Sequence, residues 1–148
     1  MANSQLHMVA RWEQEKEEKA AMTFQLAQKY VNEQRNKLQG LEQYRLEYFR
    51  QIQQKARSTG LKAMSFNQHQ GFIAKLDKAC EQQRQVIHNA VLAADQRKET
   101  WLKQQQKRKA VEMLLEKKKA QAMAREIRLE QALMDEVALQ KFIRKDMN

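Results

Sequence analysis

A mostly apolar and aromatic seam can be followed at spacings of three and four along the first part of the chain: Ala20, Thr23, Ala27, Tyr30, Gln34, Leu38, Leu41, Tyr48 and Ile52, with Tyr44 close to the same face. Spacing of this kind lines one stripe of a helix. It predicts an amphipathic helix over about 5–58. Lys55 and Arg57 suit the negative end of a helix dipole there, and Gly60 can take the left-handed conformation that terminates helices.

Ser65 and Gln68 then form an S-x-x-Q capping box, the serine able to accept from an orphan amide and the glutamine able to reach back. This places a turn over about 59–65 and a second helix over about 66–144. The second seam runs Leu76, Cys80, Gln83, Ile87, Ala90, Ala94, Arg97, Trp101, Gln104, Arg108, Val111, Leu115 and Lys118, and continues through Ala122, Arg125, Leu129, Ala132, Glu136, Leu139 and Ile143. A repeat of three and four sustained that far argues for a left-handed coiled coil rather than a globular bundle. At a rise of 1.5 Å per residue the two arms span roughly 80 Å and roughly 120 Å. The expected architecture is therefore all-α: residues 1–148 as a single elongated helical hairpin, a long antiparallel two-helix coiled coil whose second helix is the longer.

Folding the hairpin near residue 65 sets Gly40 against Ala90, Ala93 and Ala94, where small residues on both sides permit close approach. A tolerated surface glycine is the equal alternative for Gly40. The hairpin also sets the polar stretch Asn32–Lys37 against Asp95–Lys98. The seam is apolar and aromatic near the turn, whereas residues 103–109 read KQQQKRK without one apolar side chain. The distal half is expected to fray or to rely on a partner.

Composition sharpens this picture. The chain has no proline and three glycines, and good helix formers dominate it. No run approaches the ~18 consecutive apolar residues of a membrane-spanning helix. The N-terminal stretch turns acidic before a signal segment could form, which points to the cytosol. Cys80 stands alone on an apolar face and reads as a small buried hydrophobe.

The net charge of +10 is concentrated. Residues 97–128 carry eleven bases against four acids, including the triplets Lys107, Arg108, Lys109 and Lys117, Lys118, Lys119. Such a segment suits an acidic protein surface, nucleic acid or anionic lipid. Consecutive triplets fan around a helix and fit a rod surrounded by partners better than one lying in a groove. His7, His69 and His88 lack metal-ligand spacing, no Gly-rich phosphate loop is present, and a helical rod offers its carboxylates no water-poor cleft. Neither an enzyme nor a metal or cofactor site is expected. Two binding readings follow: an interaction rod whose basic end enters an acidic protein cavity, and a basic coiled coil that binds nucleic acid or serves as a general scaffold.

The strings LEQYRLEY (Leu41–Tyr48), FIAKLDKACEQQ (Phe72–Gln83), ETW with its basic run (Glu99–Lys109) and MDEVA (Met134–Ala138) resemble, in order and spacing, the flagellar type III export protein family FliJ. The resemblance covers almost the whole chain. It implies a stalk-like coiled coil, similar to the γ subunit of rotary ATPases, that binds the hexameric flagellar export ATPase and its regulator. It further implies contact with the cytoplasmic domain of the export gate membrane protein and with substrate chaperones. Nucleic acid is not an expected partner under this likeness. The protein would be cytoplasmic and peripherally associated with the inner membrane at the flagellar base. By the same likeness Leu41, Tyr44, Tyr48, Phe72, Leu76 and Ala79 match the gate-binding face. The paired terminal halves would enter the ATPase ring, with Lys103, Lys107, Arg108, Lys109, Lys117, Lys118 and Lys119 as its basic segment. Core packing competes for Leu41 and Leu76, leaving Tyr44 and Phe72 as the more partner-facing pair. Val137 and Ala132 depart from the family pattern around M-D-E.

Overall fold

A computed structural model describes residues 2–60 and 62–147. The chain forms an all-helical antiparallel hairpin of α1 (Ala2–Ser58) and α2 (Ala63–Met147), the second helix being the longer. Lys55 and Arg57 occupy the last turn of α1. Thr59 closes it, its backbone N–H donating to the Lys55 carbonyl at 3.0 Å and its hydroxyl at 3.1 Å. Gly60 follows with φ +72°, the left-handed geometry expected of it. Leu61, within the expected turn, lies outside the described residues.

The Ser65–Gln68 box does not start α2. The helix begins at Ala63, and its first turn closes where the Phe66 N–H donates to the Lys62 carbonyl at 3.0 Å. Ser65 therefore lies inside the helix. An earlier start moves the fold point toward residue 60, and the pairing between the arms shifts by about two to three turns. Val31, not Gly40, packs against Ala90 and Ala94. Gly40 has nothing within 4 Å of where a Cβ would stand, so no close approach requires it. Gln34, at the centre of the polar stretch, meets Gln83 rather than Asp95–Lys98.

The chain divides into two compact units. The unit of residues 18–102 holds the apolar core. Val31, only 1% exposed, sits with Ala90 and Ala94, flanked by Ala27 and Val91. Ile52, Leu76 and Cys80 are buried nearer the turn, and Phe24 stacks on Trp101 with ring centroids 5.8 Å apart. Cys80 is a buried free thiol, as its phase implied. Alanine facing valine buries little area, and even a fully buried valine contributes only about 1.5–3 kcal/mol. Polar pairs across the helices supplement it: Arg45 with Asp77, and Arg84 with Glu42 at 3.2 Å.

The other unit comprises residues 1–17 and 103–148. Its pairing is polar where the KQQQKRK stretch lies. Gln104 donates to the carbonyl of Glu13 at 3.0 Å and to its carboxylate, and Arg108 pairs with Glu17 and, at 2.7 Å, with Glu112. These contacts join Gln104 and Arg108 of that stretch to α1. Val111, Leu115 and Lys118 remain half-buried on the seam, and every described residue from 121 onward is exposed.

Candidate functional site

Two surfaces merit description as sites. The first is aromatic and lies beside the turn. Tyr48 projects from α1 between His69 and Phe72 of α2. Its hydroxyl lies 2.5 Å from His69 Nδ1, and its ring is tilted on Phe72 with centroids 4.7 Å apart. Tyr44, one helical turn earlier, meets Phe72 edge-on at 6.4 Å and 78°. That geometry matches the quadrupole preference of aromatic pairs and fixes both rings.

The six residues assigned to a gate face fall into two groups. Leu76 is 8% exposed and belongs to the core; Leu41, Tyr48 and Ala79 are half-buried. Tyr44 is 51% exposed and Phe72 37%. They form the solvent side of the cluster. Around the corner Phe49, Ile52, Phe66, His69 and Ile73 line an open groove of about 330 Å³. Periodicity does not single out Phe49 and Phe66, because neither lies on the seam.

The second surface is basic. Lys103, Lys107, Lys109, Lys117 and Lys119 are exposed on α2, while Lys118 is half-buried on the seam. Arg108 is different in kind. Its guanidinium is engaged by Glu112 and Glu17, which together raise its pKa above the ordinary arginine value. It is an internal partner first and a surface charge second. Glu13 is the counterpart on α1: hydrogen bonds from Gln104 and Lys16 hold its carboxyl below the usual value. Lys16 also lies over the Trp12 ring, 3.6 Å from the centroid, which orders the polar and aromatic side chains of that turn.

Periodicity alone misses Phe24, Val31 and Glu13. Between Ala27 and Gln34 a seam can step through Tyr30 or Val31, since both give one interval of three and one of four. The structure takes Val31 and leaves Tyr30 half exposed. Spacing carries no signal that separates the two; the branched valine packs against Ala90 and Ala94 only once the register is set. Among the described residues no group of His, Cys, Asp and Glu could hold a metal ion, and no helix is long and apolar enough to cross a membrane.

Comparison with curated proteins and with solved structures gives no match. The sequence profile of the flagellar FliJ protein, in contrast, matches residues 1–146. With that match spanning nearly the whole hairpin, the chain belongs to the flagellar FliJ protein family, a non-enzymatic component of the flagellar export apparatus.

Proposed function

We propose that this chain acts as a stalk-like coiled coil that binds the hexameric export ATPase, promotes its assembly and activity, and links it to the export gate and to substrate chaperones. What carries the reading is the contrast between the surfaces of the two units. Near the turn an aromatic cluster presents Tyr44 and Phe72 to solvent. The unit built from the chain termini presents an exposed lysine surface and an uncovered length of α2. A linker between two different partners needs two chemically different surfaces, and an acidic cavity in an ATPase ring is the natural complement of the lysines. By this reading the protein reaches the membrane through the gate; among the described residues no helix is long and apolar enough to cross a membrane.

The test is ATP turnover of the purified export ATPase with and without this protein at near-physiological salt. Stimulation accompanied by ring assembly supports the reading. Lys109→Glu, Lys117→Glu and Lys119→Glu together should then abolish stimulation with helicity intact, since these side chains are exposed. Arg108 is left unchanged because it holds Glu17 and Glu112. Unchanged stimulation in the triple variant removes the lysines from the interface.

A further inference from the structure

The seam that α2 presents to α1 as far as Lys118 does not stop where its cover stops. It continues at the same spacing through Ala122, Arg125, Leu129, Ala132, Glu136 and Leu139, all exposed. We propose that this stretch pairs antiparallel with the same stretch of a second copy of the chain.

In this pairing the stretch is complementary to itself. Setting Leu129 of one copy opposite Ala132 of the second brings Leu139 opposite Ala122 and Arg125 opposite Glu136. Each leucine meets an alanine, so the layers keep a constant width, and the two symmetry-related charged layers join opposite signs. On the flank of the same pairing Arg128 faces Asp135. Two-fold symmetry repeats every one of these contacts, which is what a self-complementary patch requires.

The alternatives are penalised. Sliding the pairing by one heptad brings Arg128 against Arg128 of the second copy in one direction and Asp135 against Asp135 in the other. A parallel in-register pair sets Arg125 on Arg125 and Glu136 on Glu136. Like charges at such positions act against the wrong register and orientation. The overall charge also permits self-pairing: residues 121–147 hold five bases and five acids, unlike the strongly basic stretch before them. In the single chain Asp135 accepts an exposed 3.4 Å contact from Gln131, which pairing can replace. The opposite face of the helix, with Met123, Ile127, Met134 and Val137, stays uncovered in the pair. A further partner can use it.

Sedimentation equilibrium of the full chain from micromolar to sub-millimolar concentration tests the proposal, with circular dichroism to verify helix content. A monomer–dimer equilibrium is expected. Arg125→Glu with Arg128→Glu should weaken it by about tenfold or more, as should Asp135→Arg with Glu136→Arg. An equimolar mixture of the two variants should associate again, because each reversed face then meets its complement. A monomer at all concentrations, a dimer indifferent to both reversals, or a mixture no tighter than its components would each overturn the antiparallel pair.

Discussion

Gln83 donates its side-chain amide to two acceptors of Gln34, the backbone carbonyl at 2.9 Å and the side-chain oxygen at 2.8 Å. Gln104 makes the same pair of contacts to Glu13. The two layers are spaced alike on both helices: Glu13 precedes Gln34, and Gln83 precedes Gln104, by the same three heptads. A buried amide that has one satisfying arrangement specifies register more strongly than it adds stability.

The Gln83–Gln34 layer accordingly makes two opposed predictions. Gln83→Ala leaves the 7%-exposed Gln34 without its donor and should cost about 1–3 kcal/mol in urea unfolding. Replacing both glutamines by leucine removes the polar demand and should match or exceed the parent in stability. A double variant as unstable as the single one would show that the layer contributes net stability of its own.

Glycine substitutions separate the turn from the arms. Gly40 and Gly71 are helical with open space around a Cβ, so Gly40→Ala and Gly71→Ala should each stabilise by up to about 1 kcal/mol. Gly60 holds a positive φ, and Gly60→Ala should destabilise by about 1–2 kcal/mol. Thermal melts of the three variants read this directly. A destabilised Gly40→Ala would restore the idea that the arms need a small residue there.

Much of this architecture was legible in the chain, and what was not has a physical reason. Helix type, the stop at Gly60 and the burial of Cys80 follow from local propensity and phase. Register did not follow, because a plausible capping box at Ser65 competed with an earlier start at Ala63 and a helix that starts earlier pairs differently along its whole length. The seam beyond Lys118 looked continuous in sequence, yet periodicity records which face is apolar, not whether anything covers it. At the aromatic face the reverse holds: Tyr44 sits just off the seam phase, and that offset alone marked it as exposed.

Acid should loosen the unit built from the termini through Glu13. Hydrogen bonds from Gln104 and then Lys16 hold its carboxyl below 4.5, so on acidification the unfolded chain takes up that proton first. The resulting stability is fully present above about pH 4.5 and is lost as pH falls through the lower native value. Melting temperatures at pH 7 and pH 3 should therefore differ less in Glu13→Gln than in the parent. Equal acid sensitivity in the two proteins would assign the loss to other carboxylates.

The aromatic face allows packing and partner binding to be told apart, since its members differ in burial. Leu76→Ala removes a buried side chain from a thin core and should cost about 2–3 kcal/mol, with binding lost only through unfolding. Tyr44→Ala deletes a ring that is half exposed and touches Phe72 edge-on, a contact worth about 0.5–1.5 kcal/mol. If Tyr44 and Phe72 meet the export gate, the Tyr44→Ala protein should keep its helicity and its binding to the ATPase while losing gate binding and impairing swimming. Tyr44→Phe keeps the ring and should retain most of both, because the hydrogen-bonded hydroxyl of this cluster belongs to Tyr48 instead. Gate binding measured with purified proteins decides the matter: full affinity in Tyr44→Ala removes this side chain from the interface, and loss of helicity in that variant assigns the ring to packing.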